Sequence, residues 1–198
     1  MGVRLISVND HFDTLRQNPS DGLVIPLTSI LHEQYAKDIS RKICASLETG
    51  KSSGKFMGKL PPYGYIRDPE NRYHLIVHQE RAKVVQQVFQ WRLEGKGPVI
   101  IARELNQQHV PTQMKLRFQE GHRDGREDSV WHGSTVTEML RNPCYLGCLV
   151  KQKGSCQLCR GRKKVSIPRE QWQWIKHTHE PIISQETFEK VQKIMEEY

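Results

Sequence analysis

Between residues 31 and 65 the chain passes through three parts of different physical character, and this stretch constrains the fold more than any other. Leu31, Tyr35, Ile39, Ile43 and Leu47 recur at every fourth position, which places them in one slowly drifting apolar stripe on a helix. Lys37, Arg41 and Lys42 fall off that stripe. The pattern predicts a helix from a cap at Thr28 or Ser29 to about residue 49, spanning roughly 30 Å at 1.5 Å per residue. Such a helix is a strut whose apolar face must pack on something. After Gly50 the run KSSGKFMGK carries Lys51, Lys55 and Lys59 among small residues, so it reads as a semi-extended basic arm able to follow a phosphate backbone or lie in a minor groove. Pro61-Pro62-Tyr63-Gly64-Tyr65 then ends that freedom.

Charge narrows the partner. The 198 residues carry a formal +8, and two stretches hold more than all of it: residues 37–67 are net +5 and residues 146–170 net +6, leaving the remainder at −3. Basicity this local is the footprint of a polyanion. No apolar run approaches membrane-spanning length, which favours nucleic acid over a lipid surface, and no secretory leader is visible at the start. Five cysteines, an odd number, fit a reducing compartment better than a disulfide framework, so a cytoplasmic, nucleoid-associated location is expected.

From Tyr65 onward a second body is expected, of mixed α+β class and predominantly helical. Residues 73–77 read as a strand. Residues 79–94 read as a helix with Ala82, Val85, Val88, Phe89 and Leu93 inward, ended by Gly95. Pro98 suits the first position of the next helix, 98–107, whose inner residues are Ile100, Ile101, Ala102 and Leu105. Residues 113–130 read as a surface loop of nearly balanced charge. A helix follows over 134–142, with Ser134 as cap, Val136, Met139 and Leu140 inward, and Asn142-Pro143 as its stop. The pair 98–107 and 134–142 is patterned like a helix-turn-helix with an enlarged turn, which turns Thr135, Thr137, Glu138 and Arg141 outward from a recognition helix. Residues 144–150 and 171–175 alternate like strands around a basic hairpin bearing Lys151, Lys153, Arg160, Arg162, Lys163 and Lys164. Ser184 caps a last helix, with Ile183 and Phe188 as its staple.

These motifs, taken in order, resemble large serine recombinases, the family of serine integrases and transposon resolvases. VRLISVNDHFDT and IPLTSILHEQYAKDISRKI are similar to that family's passage from the last strand of the catalytic domain into its long helix. GKFMGKLPPYGY, GKGPVIIARELNQQHVPT, WHGSTVTEMLRNPCYLG and THEPIISQETFEKVQ resemble its recombinase domain. The resemblance implies a resolvase-type remnant over 1–27, a connecting helix over 28–50, a basic linker over 51–64 and a DNA-binding recombinase domain over 65–198. It also implies a part in site-specific integration or excision by strand exchange on double-stranded DNA, at attachment or transposon-end sites, as a homodimer or tetramer in the complete protein. That family's nucleophilic serine lies ahead of the segment matched here, so this chain alone is expected to be inactive. Arg41, Lys51, Lys55, Lys59, Thr135, Thr137, Arg141 and the six basic hairpin residues are the expected DNA contacts, and the strand before residue 9 is expected to need partners from elsewhere.

Two other classes fit parts of the pattern. A helix-turn-helix regulator would use residues 98–142 without needing the strut. A zinc-binding structural module would use Cys144, Cys148, Cys156 and Cys159, but a lone Cys-x-x-Cys lacks the second pair that makes zinc-ribbon spacing specific. No cofactor is expected; Cys44, Cys144 and Cys148 read as buried small hydrophobes, and His177 and His179 as packed or capping residues.

Overall fold

The computed structural model describes residues 6–7, 12–13, 21–151, 154–157, 162–166, 168 and 172–196, with side chains described throughout except at 6–7, 12–13, 21–25, 154–157 and 162–166. The chain divides into two compact units, Met1–Ser46 with Gln157–Arg162, and Leu47–Cys156 with Lys163–Tyr198.

In the first unit β1 (Ile6–Ser7) pairs antiparallel with β2 (Phe12–Asp13), in register Ile6 to Asp13 and Ser7 to Phe12. The N-terminal strand thus finds a partner close by in sequence, where the sequence pattern left it without one. The helix α1 (Asp21–Ser52) starts well before the expected cap at Thr28 or Ser29, and the division between the units falls within it. Pro26 is compatible with this because it sits near the helix N-terminus, where its missing N–H removes a single bond to the carbonyl of residue 22 and its fixed φ suits the helix. Glu33 and Lys37 form an i,i+4 ion pair (2.6 Å) in the favourable order. The expected stripe is all exposed: Leu31, Tyr35, Ile39, Ile43 and Leu47 lie 39–70% open, extended by Leu27 and Ile30. Cys44 is also exposed, because it falls on this uncovered helix rather than in a core.

The core lies in the second unit. β3 (Tyr65–Arg67) and β4 (Leu75–Val77) form an antiparallel hairpin. Four helices pack beside it: α2 (Gln79–Leu93), α3 (Pro98–Gln107), α5 (Gly133–Leu140) and α6 (Gln185–Glu196). Their inner faces follow the sequence periodicity closely. Ala82, Val85, Val88 and Phe89 of α2, Ile101, Ala102 and Leu105 of α3, and Val136, Met139 and Leu140 of α5 are buried. Ile100 departs from the expectation and lies half exposed, since α3 turns only one narrow stripe inward. Ser184 Oγ accepts from Thr187 N (3.2 Å) at the head of α6, with Ile183 and Phe188 buried around it as a staple.

Between α3 and α5 the expected loop contains α4 (Gln113–Gln119), capped by Thr112, whose Oγ1 accepts from Lys115 N (3.2 Å). Periodicity misses this helix because none of its residues is fully buried. The α3 and α5 helices still pack directly on each other in a helix-turn-helix-like pair. Gly133, the first residue of α5, makes this approach possible: a Cβ there would stand 2.9 Å from Val99 Cγ2. The helix therefore begins at Gly133 with His132 as its cap, one residue before the Ser134 start expected.

Residues 143–146 form a 3-10 turn rather than the start of a strand, because Asn142 Oδ1 accepts from Cys144 N (3.2 Å) and winds the chain tightly through Pro143. Strand β5 (Leu149–Lys151) follows and pairs antiparallel with β8 (Gln173–Ile175); between them β6 (Gly154–Gln157) pairs with β7 (Arg162–Ser166). Tyr65, fully buried, ties these parts together: its hydroxyl donates to Glu180 O (2.9 Å), and its ring meets His179 edge-on (4.8 Å) and Tyr145 in a stack (6.1 Å). The fold is mixed α+β and mainly helical, with small two-stranded sheets.

Candidate nucleic-acid interface

Two neighbouring clefts in the second unit collect Lys51, Lys55, Lys151 and Thr135, half of the expected contact residues whose side chains are described. The first, about 390 Å³, is lined by Lys51, Lys55 and Lys151 together with Phe56, Met57 and Asn142. Lys51 projects from the last turn of α1 and is exposed. Lys55 is exposed and lies over the Tyr73 ring (5.4 Å). Lys151, at the end of β5, donates to Ser52 Oγ (2.8 Å) and faces Glu48 (3.6 Å). Residues far apart in sequence thus bring three lysines to one cleft.

Contacts from the β3–β4 hairpin position this wall. Phe56 N donates to Tyr73 O (2.8 Å), and the Arg67 guanidinium reaches Gly58 O (2.5 Å) and Lys59 O (3.2 Å). The run after Gly50 is therefore tied down by its own backbone at several points, although its composition reads as a free arm. Lys59 turns elsewhere, toward Asp124 (3.2 Å), which also accepts from Arg117 Nε (3.0 Å). The Arg117 guanidinium, with Lys59 behind it, holds the Asp124 carboxyl down to about 2.

The second cleft, about 580 Å³, runs between the head of α4, the loop 126–132 and the outer face of α5. Thr135 and Glu138 stand exposed on its α5 side, with Arg126, Gln113 and Asn142 around them. Trp131 forms its floor. Asn106 holds that residue by two bonds to its backbone (2.8 and 2.9 Å), the indole N–H donates to Val110 O (2.9 Å), and Tyr63 packs on it edge-on (5.1 Å). Thr137 is half buried and donates to Gly133 O (2.9 Å), so its hydroxyl proton is committed to the helix itself. Arg141 is exposed at the end of α5. Pro62 and Asn142 line both clefts.

Arg41 belongs to the other unit, exposed on α1 and paired with Asp38 (3.1 Å). The backbones of Arg162, Lys163 and Lys164 lie on β7, while their side chains, with Lys153 and Arg160, are outside the described residues. Arg126 and Asn142 were not among the expected contacts. Arg126 sits in a run whose charges nearly cancel, and Asn142 looks like a helix stop, so neither carried a signal of its own.

The cysteine arrangement is structural where it is described. Cys144 and Cys148 are buried, and burial pushes the Cys148 thiol up. His179 is buried as expected, with Nε2 on Cys144 O (2.7 Å) and Nδ1 on the Thr178 hydroxyl (2.8 Å). The carbonyl can only accept, so Nε2 carries the proton. Cys159 and the Cys156 side chain lie outside the described residues, and among the described residues no group of three or more metal-ligating side chains occurs.

The recombinase model of protein families matches residues 79–198, from the first residue of α2 through α6 and more than half of the chain. The chain belongs to the recombinase family. The resemblance to serine recombinases read from its motifs is thereby borne out. A solved structure concerned with the sequence requirements of the Listeria innocua prophage attP site matches with a TM-score of 0.51 at 18% identity, over 80% of this chain and 52% of that one. Another, an LSR–DNA complex, matches with a TM-score of 0.49 at 17% identity, over 78% of this chain and 39% of that one. The chain thus spans about half the length, or less, of these structures. No curated protein sequence matches it.

Proposed function

We propose that this recombinase-family chain is the DNA-binding portion of a site-specific serine recombinase, which integrates or excises DNA by strand exchange when complete. The observation that carries the reading is the convergence of Lys51, Lys55 and Lys151 on one cleft, which continues past Pro62 and Asn142 to the exposed face of α5. A duplex backbone seated against the lysines would bring base edges toward Thr135 and Glu138. Glu138 has only acceptors to offer, so it favours the amino group of cytosine, tolerates that of adenine, and is repelled by guanine and thymine edges, which present only acceptors. The solved structure concerned with a prophage attP site supports recombination-site DNA as the partner. Strand exchange itself needs a serine nucleophile. The hydroxyls of Ser52 and Ser53 bond to carbonyls one turn back, and that of Ser184 caps a helix; the resemblance puts the family's nucleophile ahead of the segment matched here, so we expect this chain alone to bind without cleaving. Among the described residues no helix is long and apolar enough to cross a membrane.

The test is duplex binding as a function of salt, with wild type beside a Lys51/Lys55/Lys151→Ala variant. Each lysine on a phosphate contributes about 0.9 to the slope of log K against log salt, so the variant should bind more weakly with a slope shallower by about 2 to 3. Binding that ignores salt, or an unchanged slope in the variant, would refute the lysine-cleft reading.

A further inference from the structure

Asn142 occupies the point where the two clefts meet, and its polar groups are almost entirely spoken for. Its backbone N–H donates to Met139 O (3.0 Å), and its carbonyl accepts from Tyr145 N (3.3 Å). Its side-chain Oδ1 accepts from Cys144 N (3.2 Å), the bond that caps the 3-10 turn. That bond also settles which end of the amide is which: oxygen faces the turn, and Nδ2 is the other end. Among the described residues Nδ2 has no partner, although the residue is half buried and lines both clefts. The next residue, Pro143, has no N–H of its own. At the junction between the lysine wall and the α5 face, the structure therefore holds a fixed, uncharged pair of N–H donors.

We propose that Asn142 contacts the duplex directly, its Nδ2 donating to a hydrogen-bond acceptor where the DNA passes from the Lys51, Lys55 and Lys151 wall to the Thr135 and Glu138 face. This rests on the DNA-binding reading above and adds a residue and a chemistry to it. An amide held by its oxygen can only donate outward, so it suits a phosphodiester oxygen or an acceptor on a base edge and repels a base amino group. The capping bond fixes the side chain before DNA arrives, so little rotamer freedom is lost on contact.

The test separates the donor from the cap. Asn142→Asp and Asn142→Ser both keep a side-chain oxygen to accept from Cys144 N, since Asp, Ser and Asn cap about equally well. Asp loses the donor and adds a charge; Ser keeps the site neutral but falls short of the duplex. Both should unfold at the wild-type midpoint. Affinity for a duplex enriched by the wild-type chain from a randomised pool should fall about tenfold in Asn142→Ser and further in Asn142→Asp. An equal loss on an unrelated duplex of the same length identifies a phosphate as the acceptor; a loss confined to the enriched duplex identifies a base edge. If wild type binds and Asn142→Ser binds within twofold of it, the residue is a cap alone and the proposal is overturned. If wild type binds neither duplex, the DNA-binding reading falls and takes this proposal with it.

Discussion

At the scale of single residues, the second unit is organised around buried polar groups whose partners are backbone carbonyls. His179 is the most informative of them. Burial holds its imidazole below the ordinary histidine value, with the charge of His74 acting the same way and the bond to Cys144 O opposing. The native pKa lies below the unfolded value of 6.5, so the unfolded chain takes up a proton first as pH falls. The contribution of His179 to stability is therefore complete above pH 6.5 and is lost as pH falls through the native pKa. Urea unfolding at pH 7.5 and 5.5 should show a drop in midpoint that is smaller in His179→Gln; an equal drop in both would assign the pH dependence to other groups. Gly147 governs the same neighbourhood. It ends the 3-10 turn at φ +72, and a Cβ there would stand 2.5 Å from His179 O, a backbone atom that cannot swing aside. Gly147→Ala should cost about 3 kcal/mol, combining the left-handed penalty with the displaced backbone, and the urea midpoint reads it. Unchanged stability would mean that the loop 176–183 yields freely.

At the scale of elements, the segment after Gly50 shows how tertiary bonds redistribute charge that looks uniform in sequence. Lys51, Lys55 and Lys59 recur at every fourth position, yet only Lys51 and Lys55 line the lysine cleft, while Lys59 pairs with Asp124. Removing Lys55 should therefore weaken DNA binding and flatten its salt dependence more than removing Lys59. Asp124→Asn, which releases Lys59, should strengthen binding modestly. If Lys59→Ala has the larger effect, the pairing with Asp124 does not persist on DNA. The contrast explains what was legible beforehand. Helices α2, α3, α5 and α6 were visible because each buries a periodic apolar stripe, and Pro98, Ser184 and Phe188 marked their starts in the expected way. Helix α4 was not, because it rests on the Thr112 cap and on half-buried residues. The second cleft was invisible for a related reason: Arg126 reaches it through a backbone bond from its N–H to Met114 O (3.0 Å), a long-range match that spacing does not encode. Thr137 failed the other way, since its helical position suggested an outward hydroxyl and the bond to Gly133 O turned it back.

At the scale of the whole molecule, α1 carries an apolar stripe that stands open among the described residues. A 32-residue helix extends about 48 Å, a little under three times the typical length, and its apolar stripe from Leu27 to Leu47 covers about 30 Å of it. Helices in proteins draw most of their stability from packing of an amphipathic face, and here the face is open. An uncovered apolar stripe of this length, flanked by charged residues such as Glu33, Lys37, Asp38 and Arg41, is an interaction surface rather than ordinary exposure. We propose a second copy presenting the same stripe as its cover, since in a two-fold contact one apolar patch serves both sides. The wild-type chain should then self-associate reversibly, with a sedimentation coefficient that rises across the micromolar range. Leu31→Glu with Ile39→Glu should hold it monomeric. Binding of a single chain to a half-site should survive that change, because Lys51, Lys55 and Lys151 lie beyond the altered turns, whereas cooperative binding to a full site should be lost. A wild type that stays monomeric throughout, on DNA as well as off it, would refute pairing through this stripe and leave another domain or protein as its cover.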